Sequence, residues 1–492
     1  MELKFQKSTV QYLKTALRQL QNQEQTQELR LPEDMPDIGR VLGGWGQVIL
    51  RSKEWRSDSI AFSGGIMVWV LYAPENDAPP RWVESWVPFQ MKQDLDGSRD
   101  GTIRLQCALR FVDARSVSAR KMMLRCGIAA LAEAFVEDSK SCSIPGEVPE
   151  DIQLLTASYP VRLPREAGEK AFTLEETLEG APPADKIVSY TLEPKITESK
   201  ILGDKVVFRG SANLHVLFAP EEGKFHSRDF QVPFSQFADL RGGLSPEAQA
   251  DVRLCTTALE LDRSPEGGLN LKCGVLAQYL VDDREMLELI EDAYSTTRDV
   301  QLQKEDLELP AILESRQVPV PVHGELRQEA SELVDVAYRA DFPGQQRGEN
   351  VEFTIPGQFQ VLYYDQDGIL QSAAPRAEGQ WQMPTDENSQ TDATVLPGSS
   401  PTGILGGGIT LEAVPVLHMT TQGTAGIPMV TGLNITDRKT EGNRPSLILR
   451  RTGSSRLWDI AKSTGSTVEA IKQANGLEGE PVKDQILLIP VH

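Results

Sequence analysis

Long apolar runs are missing from this 492-residue sequence: nowhere do about 18 apolar residues follow one another, so no membrane-spanning helix is expected. The opening MELKFQKSTVQYLKTALRQL interrupts any apolar core with charges and glutamines, so no classical secretion signal is expected and a cytoplasmic location is. Cysteine is scarce, five in all and without metal-ligand spacing, as a reducing compartment would have it. Histidine is equally scarce: His215, His226, His323, His418 and His492 stand apart, with no second ligand at helical or hairpin spacing. Neither a phosphate loop ending in Gly-Lys-Ser or Gly-Lys-Thr nor a Gly-x-Ser-x-Gly elbow occurs. Asp94, Asp96 and Asp100, and likewise Asp365 and Asp367, begin like calcium loops but lack the remaining ligands, so they read as hairpin turns. No pair of carboxylates is singled out for hydrolysis. An enzyme is therefore not expected, nor a cofactor or a metal. Basic residues are also in deficit, 50 Lys and Arg against 71 Asp and Glu, and a net charge of -21 repels phosphate backbones and anionic lipid.

What the sequence does contain is a repeat. Residues 58–75 read DSIAFSGGIMVWVLYAPE, and 146 positions later residues 204–221 read DKVVFRGSANLHVLFAPE. Phe62, Gly64, Val70, Leu71, Ala73, Pro74 and Glu75 are matched without a gap by Phe208, Gly210, Val216, Leu217, Ala219, Pro220 and Glu221. A weaker copy at 351–365 keeps Phe353, Val361, Leu362 and Tyr363 at the same spacing. Alternating large apolar residues give the period of two that buries one face of a strand. Gly64, Gly65 and Gly210 separate two apolar runs, so each copy reads as a pair of strands with a bulge or close backbone approach between them.

Length excludes a single core and predicts roughly three to four domains. The fold class expected is mainly β: three repeated sandwich-like or open-barrel-like domains at 1–139, 140–290 and 291–437, then a small βααβ domain at 444–492. Within the first domain, Val10, Leu13, Leu17 and Leu20 have the spacing of a short amphipathic helix, with an extended strand as the competitor. Two prolines in 29–38 forbid a regular helix there. Val87-Pro88-Phe89 and Val232-Pro233-Phe234 end two matching edge strands. Residues 103–112 match 252–261, and 121–135 match 269–281, giving six or more strands per unit. In that last pair, Cys126 and Cys273 occupy equivalent apolar positions and read as core. Residues 137–166 and 295–329 are linkers or first strands of the next unit. The Gly-, Ser-, Thr- and Pro-rich stretch 378–408 reads as a mobile loop inserted in the third unit, and a polar linker follows Asp437.

In the tail, residues 446–450 and 486–489 read as strands, and Leu457, Ile460 and Ala461 mark one helix face. Thr467 is the N-cap of a second helix that buries Val468 and Ile471, and Asn475-Gly476 stops it in left-handed geometry. With LWDIA at 457–461, TVEAI at 467–471, NGL at 475–477 and the closing strand, the tail resembles a LysM domain. That resemblance implies a groove between the loops 453–456 and 475–481 that binds N-acetylglucosamine glycans. It makes Gly453, Ser454, Ser455, Arg456, Trp458, Asn475, Gly476, Leu477, Glu478 and Pro481 the candidate partner- or glycan-binding residues. Two departures stand out: Gly453-Ser454-Ser455-Arg456 replaces the usual Gly-Asp-Thr, and Lys483-Asp484-Gln485 replaces Pro-Gly-Gln. Trp458 is read as a core residue ahead of a stacking platform.

The repeats resemble the β-rich SPOCS domain of endospore formers at residues 31–38, 68–72 and 87–89. SPOCS repeats followed by one LysM domain resemble the SipL-like spore morphogenetic proteins. That likeness implies a mother-cell protein at the forespore surface, which helps assemble the spore coat and docks on the coat's morphogenetic ATPase or other coat proteins. Peptidoglycan is the alternative partner.

Overall fold

The computed structural model describes residues 2–491 apart from 76–77, 98–99, 183–184, 265–266, 385, 387, 438–445 and 483. The linker expected after Asp437, Lys483 and His492 therefore lie largely or wholly outside the described residues. The chain is mainly β. After a short β1 (Glu2–Lys4), a first unit comprises β2 (Gln6–Arg30), β3 (Ile38–Arg56), β4 (Ser59–Pro74), β5 (Arg81–Asp94), β6 (Thr102–Ser118) and β7 (Lys121–Ile144). These form two antiparallel sheets, β3-β4-β5 and β2-β7-β6. The second unit repeats the order with β8 (Ile152–Leu178), β9 (Lys186–Leu202), β10 (Lys205–Ala219), β11 (His226–Asp239), β12 (Gln249–Arg263) and β13 (Leu269–Ser295), paired as β9-β10-β11 and β8-β13-β12. The third adds short strands: β14 (Asp299–Pro319), β15 (Val322–Leu326), β16 (Glu332–Ala340), β17 (Gly344–Arg347), β18 (Asn350–Tyr364), β19 (Leu370–Ala373), β20 (Arg376–Pro384), β21 (Ser389–Leu405) and β22 (Ile409–Thr436). There β18 centres one sheet and β22 the other. In every unit the two sheets meet along one side, β3 on β6, β9 on β12 and β16 on β21, as in a half-open barrel.

Of the two readings for residues 10–27, the strand is the one realised: β2 pairs with β7 along nearly its whole length. The strand is buried on both faces, Val10 and Tyr12 on one and Leu13 on the other, so its apolar residues do not alternate and their spacing resembles a helix's. Each repeat signature is one continuous strand (β4, β10, β18) rather than a pair. Its glycines mark close approach, since a Cβ at Gly64 would run into the Ile49 carbonyl and one at Gly210 into the Lys195 carbonyl. The stretch 378–408, outside 385 and 387, is not a loop. It forms most of β20, paired with β18, and all of β21 through Leu405, paired with β22. Register shifts either side of Ser399 absorb the irregular Pro397-Gly398 and Pro401. Of the two readings for 137–166 and 295–329, first strands of the next unit is the one realised, as β8 and β14. The edge positions of β5 and β11 are as expected.

The units are joined head to tail and the chain of contacts closes. β3 of the first unit packs on β12 of the second, β9 of the second on β21 of the third, and β16 of the third on β6 of the first. β1 adds to β22 with Glu2 opposite Asn434, tying the N-terminus to the third unit. One shared core draws Val10 and Tyr12 from the first unit, Val161, Leu163, Leu287 and Leu289 from the second, and Leu307, Leu309, Ile427 and Met429 from the third. Another gathers Trp45 and Trp69, Val188 and Leu217, and Leu362 and Tyr364. Full burial of each large apolar side chain contributes about 1.5–3 kcal/mol. These two clusters therefore help to hold the three units together.

Candidate functional site

The tail begins with β23 (Leu447–Arg451), continues through α1 (Leu457–Thr464) and α2 (Val468–Asn475), and ends with β24 (Ile486–Pro490), which pairs with β23. This is the expected βααβ order. The Thr467 hydroxyl accepts from the Ala470 amide at 3.0 Å, and Gly476 ends α2 at φ 63°, both as the sequence predicts. α1 has no side-chain cap of its own at Arg456. Instead the Glu480 carboxylate accepts from the Leu457 amide at 2.9 Å, which brings the 475–481 loop against the start of α1.

The two loops thus come together, but their residues divide. Ser454, Arg456, Gly476 and Glu478 are exposed, while Gly453, Ser455, Leu477 and Pro481 are half-buried. Leu477 packs on the tail core, and Arg456 sits 3.4 Å from Asp459. Asn475 is committed to structure: its amide donates to the Ile471 and Leu488 carbonyls at 2.8 and 2.6 Å, and its oxygen accepts from the Leu488 amide at 2.8 Å. Asp484 adopts φ 65°, the left-handed conformation that a glycine at this place would take freely.

Trp458 turns away from the loops toward the second unit. It is buried, makes an edge-on contact with Tyr294 at 4.8 Å, and donates its indole N–H to Asp292 Oδ2 at 2.8 Å. Lys462 donates to both Asp292 oxygens, at 2.7 and 2.8 Å, and the Tyr294 hydroxyl donates to the Ser466 carbonyl at 2.8 Å. Burial raises the Asp292 carboxyl pKa, but the bonds from Lys462 and Trp458 outweigh it and hold the pKa below the usual value. Asp292 and Tyr294 escaped sequence reasoning because they lie 166 and 164 positions from the tryptophan they hold, in a strand whose pattern reports only its own sheet.

A second polar site lies where the three units meet, around a cavity of about 1530 Å³ lined by Arg18 and Glu133, His215 and Arg253, and Asp335 and His418. Arg104 and Arg253 hold the same place in β6 and β12, as IRLQ against VRLC. Arg104 donates to Glu133 at 2.8 Å and to Asp251 at 2.7 Å, and Arg253 donates to the same Glu133 oxygen at 3.0 Å. Arg18 lies 3.3 Å from Glu133 and 3.4 Å from Asp392. Burial pushes Glu133 up, yet Arg104 and Arg253 overcome it and bring it down to about 2. Three guanidiniums face three carboxylates, the balance that buried charges require. Nearby, His215 bridges Asp229 at 2.6 Å and Asp335 at 2.7 Å, joining the second unit to the third. Among the described residues no three His, Cys, Asp or Glu side chains form a metal-holding group. Burial raises the thiols of Cys126 and Cys273 to about 11 and about 12, consistent with core positions.

Residues 183–260 match the family model described as SipL, SPOCS domain. The match falls within the second unit, from just before β9 into β12, and the first and third units repeat its strand order. No curated protein and no solved structure matches the chain.

Proposed function

For a chain that carries the SPOCS domain of SipL-like spore proteins, we propose a non-enzymatic role in assembling the spore envelope, with three fused β-units as scaffold and the LysM-like tail as docking module. The observation that carries this reading is the way the tail is mounted. Trp458 and Lys462 are fixed on Asp292 of the second unit, while Ser454, Arg456 and Glu478 face solvent. A rigidly held module with free loops is the arrangement that binding on a scaffold calls for. The partner in this reading is the coat's morphogenetic ATPase or another coat protein at the forespore surface. The indole that could stack on a sugar is occupied by the body of the protein, which favours protein docking over glycan binding.

The test is a side-by-side titration of the intact chain, because Tyr294 completes the tail's core and an isolated tail would lack it. Against the coat ATPase of the same organism, saturable binding that weakens at least tenfold on Arg456→Glu or Glu478→Lys is expected. Against N-acetylglucosamine oligomers a flat titration is expected; binding there alone would replace protein docking with wall-glycan recognition.

A further inference from the structure

The tail carries an unusual density of exposed apolar side chains: Leu447 is 49% exposed, Leu449 70%, Val482 76% and Ile486 60%. The β23–β24 register explains how Leu447, Leu449 and Ile486 gather. Leu447 stands opposite Pro490, Leu449 opposite Leu488 and Arg451 opposite Ile486, so these six share the outer face. The alternate residues Ile448, Leu487 and Ile489 fill the tail core on the inner face. The outer face is thus an apolar strip crossed by one arginine, and it is separate from the tryptophan side that meets the second unit.

The same sheet has one open edge. Thr452 N–H donates to the Gln485 carbonyl at 2.9 Å and Val491 N–H to the Ser446 carbonyl at 3.1 Å, so the even-numbered residues of β23 face β24. The peptide groups of Leu447, Leu449 and Arg451 point the other way, where no described strand pairs with them. The far edge of β24 is already closed by the Asn475 amide on Leu488. An open strand edge beside exposed apolar side chains is a template for an added strand.

Charge selects the kind of strand. Residues 446–492 hold six Lys or Arg against five Asp or Glu, so the tail carries essentially none of the chain's -21. Arg451 is exposed on the strip and makes no ion pair among the described residues. We propose that the open edge and outer face of β23 receive an extended, acidic segment of a protein partner, which pairs with Leu447–Arg451 and lays apolar side chains on Leu449 and Ile486. This rests on the docking function proposed above and moves the main contact from the loops to the strand.

The experiment is a titration of the intact chain against the coat ATPase, comparing Leu449→Glu, Leu449→Lys and the loop variant Arg456→Ala, with sedimentation of each chain alone. Leu449 is exposed enough that each variant should keep the parent's unfolding midpoint. Leu449→Glu is expected to weaken binding at least tenfold and Leu449→Lys by no more than about threefold, since only the first repels an acidic strand. Arg456→Ala, which removes a loop charge without reversing it, should weaken binding less than Leu449→Glu does, by no more than about fivefold. Equal losses for Glu and Lys would overturn the acidic character of the partner. Binding that survives Leu449→Glu but not Arg456→Ala would overturn the strand site and leave the docking function standing. Self-association abolished by Leu449→Glu would make a second copy the occupant and overturn the proposal. No binding by the unsubstituted chain would remove the docking function itself.

Discussion

His215 illustrates how single residues join the units. Burial pulls an imidazolium's pKa down, but Asp335 and Asp229 outweigh it and raise this one to about 10. Because the folded value lies above the usual 6.5, the stabilisation is complete below that pH and is lost as pH climbs through about 10. Thermal unfolding should therefore show a midpoint that falls across this window in the parent and is flatter in His215→Gln; equal slopes would show that the clamp is not charged. His215→Ala should cost about 3–5 kcal/mol, because it strands the buried Asp335 carboxylate. Nothing in the sequence announces this pair: His215 and Asp335 are 120 positions apart, on strands whose alternation predicts burial but not the partner across an interface. Where a residue answers to local rules, as Thr467 and Gly476 do in capping α2, the sequence is sufficient.

At the scale of elements, the presence of strands was legible wherever alternation and punctuation agree, but their order in the sheets was not, and the reading failed where pairing overrides local appearance. β2 looks helical because both its faces are buried, Val10 and Tyr12 in one cluster and Leu13 in another, and only its neighbours reveal that. β21 looks like a loop because its Gly, Pro and Ser content is high, yet β22 supplies a ladder that tolerates two irregularities. The tail's mounting is likewise a property of two elements together. Asp292→Ala removes the acceptor of both Trp458 and Lys462, and hydrogen exchange in α1 should then accelerate by about tenfold or more while β4 and β10 exchange as before. Unchanged protection of α1 would mean that the apolar contact with Tyr294 suffices.

For the whole molecule, the decisive feature is closure of the three units on one another, which the repeat alone could not reveal. A repeat specifies that units exist; whether they hang as beads or close depends on contacts such as Arg110 with Asp341 and Arg40 with the Leu370 carbonyl, which obey no period. Buried ion networks roughly break even energetically as a class, so the shared apolar clusters, rather than the charges, are taken to hold the units. Phe5 sits at the seam, 6% exposed, packed with Val430, Leu433 and Ile435 behind β1. Phe5→Ala should destabilise the chain by about 3–5 kcal/mol, and exchange should quicken first in residues 427–436 of β22; loss confined to the first unit would argue against closure through β1. The central claim is that this closed body serves as a scaffold and the tail as its docking module. It is tested most directly by pull-down of coat proteins with the intact chain and with a chain ending at residue 437. The account predicts that coat ATPase is retained by the intact chain and lost with the tail; equal capture by both would contradict it.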